Sequence, residues 1–109
     1  MRPPKRIKVG PFTFDTVEDD AALNVLGGSG AMNYDLQVIV YGTGSASEQL
    51  KDTVLHETLH AIIRQTRLYE SNDEWVKLEE GLVQAMTPIL LGVLRENPRL
   101  VTFLTESAK

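Results

Sequence analysis

The chain's only two histidines, His56 and His60, stand four residues apart in a stretch whose apolar residues recur at helical spacing. On a helix, residues i and i+4 share one face, one turn apart. Any fold of this chain must turn that face towards a cleft or bury both imidazoles. Ser45 and Glu48 stand in capping-box spacing, with Ser47 as an alternative cap, and the pattern predicts a helix running to about Arg67. Leu50, Val54, Leu55, Leu59, Ile62 and Ile63 form its apolar stripe. The histidines lie off the part of the stripe centred on Leu55, Leu59 and Ile62, so they are expected to flank the core and open onto a cleft.

Ahead of this helix the pattern is that of strands. Ile7–Val9 and Phe12–Val17 surround Gly10-Pro11 and read as a short hairpin or two short strands. Ala21–Leu26 fits a helical turn or a strand, and Gly27-Gly28-Ser29-Gly30 reads as a flexible turn without phosphate-loop spacing. Asp35–Tyr41 reads as a strand, with Leu36, Val38 and Val40 on one face and Gln37, Ile39 and Tyr41 on the other. After the first helix, Tyr69–Glu74 reads as a connection. A second helix is expected over Trp75–Glu96, with Leu78, Leu82, Met86, Ile89, Leu90, Val93 and Leu94 inward and Pro88 kinking or splitting it. Asn97-Pro98 opens a short terminal helix to about Thr105. Trp75 and Phe103 are expected to anchor the core, and Met86 to fill a gap there. The expected fold is α+β, one domain over residues 1–109: a small, mainly antiparallel sheet packed on the histidine-bearing helix and a second long helix, with a short C-terminal helix.

Composition narrows the partners. A net charge of −4 argues against a nucleic-acid ligand, and the basic cluster Arg2, Lys5, Arg6 and Lys8 reads as a solvated, fraying end. No apolar run approaches the ~20 residues of a membrane span, and the first residues lack the apolar core of a signal peptide. A cytoplasmic location is expected, in the host cytoplasm if the chain is phage-encoded. There is no cysteine, so any metal must be held by His, Asp or Glu.

The run His56-Glu57-Thr58-Leu59-His60 has the spacing that brings two imidazoles to one ion at ~2.0–2.1 Å. A chance match in so short a chain is expected on the order of once in several hundred chains. Glu57 stands about 100° around the helix from His56, able to reach an activated water without binding the ion. Zinc lowers the pKa of its water to about 7, and a neighbouring carboxylate can take the proton and later return it to a leaving amine.

A catalytic zinc takes a third protein ligand. The pattern HExxHxxGxxH fails, because Ile63 and Thr66 stand where Gly and His are required. A carboxylate is therefore expected, from Glu70, Asp73, Glu74, Glu79 or Glu80. The first three come early on the connection, whereas Glu79 and Glu80 lie on a helix that can pack back on the first. Glu79 falls in the middle of the stripe made by Trp75, Leu82, Met86 and Val93, and Glu80 falls at its margin, which favours Glu80 with Glu79 as the alternative.

At His56–His60 and Leu78–Gln84 the chain resembles the gluzincins, zinc peptidases with two histidines and a downstream glutamate. It is also similar to small phage-encoded HExxH proteins and to ImmA/IrrE-like metallopeptidases. The run Leu78-Glu79-Glu80-Gly81-Leu82-Val83 looks like the Leu-Asn-Glu-Gly-aromatic-Ala run of aminopeptidase-type gluzincins, which implies Glu80 as ligand. Gln84 then falls where many gluzincins keep a polar residue supporting that ligand. The resemblance implies a zinc metalloendopeptidase acting on a peptide or protein substrate, with Glu57 as base. The substrate is expected to extend along Asp35–Tyr41, with Tyr34, Tyr41 and Tyr69 as candidates to stabilise an oxyanion. The alternative is a zinc-stabilised, non-catalytic interaction or virion-associated module. A DNA-linked protease of the SprT type is disfavoured by the acidic balance and the lack of a third histidine.

Overall fold

Gly10 adopts φ +59° ahead of Pro11, and this two-residue turn folds β1 (Arg6–Val9) antiparallel onto β2 (Phe12–Glu18). The computed structural model describes residues 2–107, apart from the side chain of Tyr69. The basic N-terminal segment is laid against β2 rather than frayed. The Lys5 carbonyl accepts from Thr16 N at 2.9 Å, and Arg2 pairs with Glu18 at 3.4 Å.

The chain continues through α1 (Asp20–Leu26), β3 (Gly30–Asn33), β4 (Val38–Tyr41), α2 (Ser47–Thr66), α3 (Leu68–Ser71), α4 (Glu74–Glu96) and α5 (Pro98–Thr105). The fold is α+β. The four strands run in the order β1-β2-β4-β3, with β2 parallel to β4 and the other two ladders antiparallel. Asp19 caps α1 by accepting from Ala22 N at 3.0 Å, which settles that ambiguous segment as helix.

Three local expectations change. The strand expected from Asp35 begins only at Val38, because the Asn33 side chain accepts from Leu36 N and Gln37 takes φ +55°, making residues 34–37 a turn. Neither Ser45 nor Ser47 caps α2. Its cap is Ala46, whose carbonyl accepts from Leu50 N at 2.9 Å. Pro88 does not split α4, which runs unbroken from Glu74 to Glu96.

The core joins Phe14 and Ile39 of the sheet to Ala61 of α2, with Val9 alongside. The buried line of α2 is Thr53, Glu57 and Ala61, and the matching line of α4 is Glu79, Val83 and Thr87. Both lines lie beside the expected leucine stripes rather than on them. Leu78, Leu82, Met86, Ile89 and Val93 stay 40–69% exposed. Small or polar residues thus stand where helix meets helix and helix meets sheet. The buried Thr87 hydroxyl is satisfied within its own helix, donating to the Val83 carbonyl at 2.7 Å. Among the described residues, no helix is long and apolar enough to cross a membrane.

Strand β3 approaches α2 so closely at Gly30 that a Cβ there would collide with Thr53 Cγ2 and stand 3.3 Å from Glu57 Oε2. Gly30→Ala is expected to destabilise the fold by about 1–3 kcal/mol in chemical denaturation. Adding Thr53→Ser, which removes that methyl, should recover most of the loss. Equal stability of Gly30→Ala and wild type would contradict this close packing.

Candidate metal centre

Helical spacing on α2 sets His56 and His60 edge to face with ring centroids 4.9 Å apart and brings their Nε2 atoms to 3.3 Å. Helix α4 packs along α2 and delivers Glu80 to the same point. Its Oε1 lies 3.0 Å from His56 Nε2, and its Oε2 lies 2.7 Å from His60 Nε2. One donor atom from each of the three residues falls within 4.8 Å of the others. Bonds of ~2.0–2.1 Å in a tetrahedron place neighbouring ligand atoms about 3.3 Å apart, so the separation of the two imidazole nitrogens suits one shared ion.

Glu79 does something different from Glu80. It is 9% exposed, and its Oε2 lies 2.6 Å from His60 Nδ1, with Arg64 Nε 3.7 Å from its other oxygen. His60 therefore donates from Nδ1 to Glu79, and a neutral ring then turns a lone pair at Nε2 towards Glu80. Two acceptors facing each other at 2.7 Å require a cation or a proton between them. The donor set therefore fits a divalent ion bound by His56, His60 and Glu80. Glu79 fixes the tautomer and orientation of His60, a task that outer carboxylates commonly perform for ligating histidines.

Glu57 is 8% exposed and faces the same space without joining the three donors. Burial pushes its carboxyl above the usual carboxylate range. The charges of His56 and His60 oppose that shift, and that of Glu80 adds to it.

Two recesses meet at these residues. The larger, about 520 Å3, is lined by Ser29, Asp52, His56, Glu57, Glu80 and Gln84, among others. The smaller, about 390 Å3, shares Glu57, His60 and Glu80 and extends to Met32, Arg64 and Val76. Gln84 borders the larger recess but makes no hydrogen bond to Glu80 among the described residues. Tyr34 is packed against Phe12 and Phe14, with ring centroids 5.9 Å away in each case, and Tyr41 is buried. Neither tyrosine lines the two recesses, and the Tyr69 side chain lies outside the described residues. Sequence reasoning missed Gly30 and Met32 of β3 as walls of the site. The run Gly27-Gly28-Ser29-Gly30 was the available signal, since a glycine at a strand end often marks a close backbone approach.

No family model matches the chain, and neither a curated protein nor a solved structure does. The fold and the cluster define a class of site: two imidazole nitrogens and one carboxylate, carried by two packed helices, with a buried glutamate beside them.

Zinc titration followed by equilibrium dialysis should find one tight ion per chain. His60→Ala and Glu80→Ala are expected to lose it, and Glu79→Gln to weaken it roughly 10–100-fold. Unchanged affinity in Glu80→Ala would exclude the assignment of that ligand.

Proposed function

We propose that the chain is a zinc-dependent metalloendopeptidase in which His56, His60 and Glu80 hold the ion. The observation that carries this reading is the convergence of both Nε2 atoms on the Glu80 carboxylate, with the buried Glu57 on the same cleft. A zinc ion held by these three residues would supply a Lewis acid for the scissile carbonyl and would acidify a water to a pKa of about 7. Glu57 takes the proton of the attacking water and hands it to the departing amine. Burial beside the cleft holds its carboxyl above the usual carboxylate range before any ion is bound.

The substrate's place is not along β4, which is paired on both sides, by β2 and by β3. β3 has one unpaired edge, and its Gly30 stands beside Glu57 while its Met32 lines the smaller recess. An extended peptide added at this edge runs past Glu57 with its main chain held by hydrogen bonds.

A second reading, a zinc-stabilised interaction module without catalysis, is favoured by one feature: the ligands join α2 to α4, so a bound ion ties the two helices together. Glu57→Gln separates the readings. Under the peptidase reading the variant binds zinc as wild type does and cleaves a peptide library about 10²–10⁴-fold more slowly. Under the module reading zinc raises the melting temperature of both forms and neither cleaves any peptide.

A further inference from the structure

The larger recess continues past the metal cluster as a trough between α2 and α4. Gln49, Asp52 and Thr53 line it on the face of α2 that carries His56 and His60, because residues three and four apart on a helix share a face. Gln84 and Pro88 extend the line of Glu80 along α4, and Ser29 and Gly30 form the remaining wall where β3 begins. The uncharged part of this wall is mostly polar. The amides of Gln49 and Gln84 border it, and the hydroxyls of Ser29 and Thr53 stand 3.4 Å apart within it.

The charges of the trough are of one sign. Apart from the two histidines, the charged residues in its wall are Asp52, Glu57 and Glu80, and among the described residues no lysine or arginine lines it. Lys51, next to Asp52 in sequence, pairs with Glu48 at 3.9 Å, and Arg95 of α4 pairs with the same carboxylate at 2.9 Å. Asp52 is half-buried, and among the described residues it makes no hydrogen bond or ion pair. Glu57 is 8% exposed, lines the same trough and likewise makes neither. A carboxylate drawn out of water gains from a cation beside it. In the zinc-loaded site Glu57 and Glu80 would offset the two charges of the ion, so the charge left over in the trough is that of Asp52.

Asp52 also stands apart from the reacting centre. The midpoint of His56 and His60 comes six residues later on α2, about 9 Å along the axis at the helical rise. Asp52 is thus too distant to serve the ion or its water, and a cation bound to it must be carried on a long stem. Lysine and arginine carry their charges in this way. A peptide extended along the β3 edge enters the trough with its side chains and not with its termini. We propose that the trough takes the side chain of a lysine or arginine close to the cleaved bond, and that Asp52 binds its charged head. The amide oxygens of Gln49 and Gln84 accept the N–H groups that the carboxylate leaves free. This inference rests on the peptidase reading and names its substrate class: peptides with a basic residue at one fixed position.

Cleavage of an acetylated peptide library by the zinc-loaded full chain, with the cut sites read by mass spectrometry, tests this. Lysine and arginine are expected at one position close to the cleaved bond. Matched peptides with lysine or glutamine there should differ about tenfold or more in kcat/KM. Asp52→Asn should cut that ratio about tenfold, and Asp52→Lys should turn the preference towards glutamate, both with unchanged circular dichroism. A second arm reads binding by fluorescence anisotropy on zinc-loaded Glu57→Gln. That variant should hold the lysine peptide about tenfold tighter than the glutamine peptide, and with Asp52→Asn added it should hold the two alike. Cleavage without a basic preference, a preference that Asp52→Asn leaves intact, or one that needs a free α-amine would overturn the proposal and leave the peptidase reading standing. If the wild type cleaves no peptide, the peptidase reading falls and the binding arm decides alone: equal affinity for the two peptides overturns the role of Asp52.

Discussion

One imidazole holds the site together. His60 is gripped at Nδ1 by Glu79 and at Nε2 by Glu80, two successive residues of α4, at 2.6 and 2.7 Å. Successive residues of a helix point about 100° apart. They can reach both sides of one ring only if that ring stands edge-on between the helices. The seating of α4 on α2, the orientation of His60 and the aim of Glu80 are therefore one geometric fact. His56, one turn earlier on α2, joins on the side where Glu80 remains exposed.

That contact also gathers negative charge. Glu57 and Glu79 are buried, and Glu80 lies close to both histidines. A buried carboxylate is costly unless paired, and removing the partner of a buried pair costs about 3–5 kcal/mol. Glu79 has His60 and Arg64 as partners. Among the described residues Glu57 has no partner as close, and burial pushes its carboxyl above the usual carboxylate range. A divalent ion between His56, His60 and Glu80 would relieve the remainder, which is the electrostatic reason to expect one there.

That His56 and His60 share one face beside Glu57 was legible in the sequence, because it follows from helical spacing; Glu80 does lie at the cluster, but the stripe whose margin singled it out is exposed rather than buried. The ordering of strands was not. Parallel pairing of β2 with β4 depends on where α1 and β3 send the chain, and no local pattern states that. The sequence also misled about which faces are inside. Leu78, Leu82 and Met86 form the more apolar face of α4, yet Glu79, Val83 and Thr87 meet α2. The buried line of α4 is the one that carries Glu79 to His60, and periodicity reports an apolar face without saying what covers it. Gln84 was expected to support the ligand, whereas Glu79, first weighed as a rival ligand, is the residue that touches His60.

One face of α4 builds the site with α2, and the more apolar face stays exposed. The central claim concerns the first. A crystal structure of the zinc-loaded protein, with the ion located by its anomalous signal, tests it most directly. The account predicts zinc bonded to His56 Nε2, His60 Nε2 and a Glu80 oxygen at about 2.0–2.1 Å, with Glu79 still on His60 Nδ1. Zinc bound through Glu79 with Glu80 turned to solvent, or zinc held away from both histidines, would contradict it.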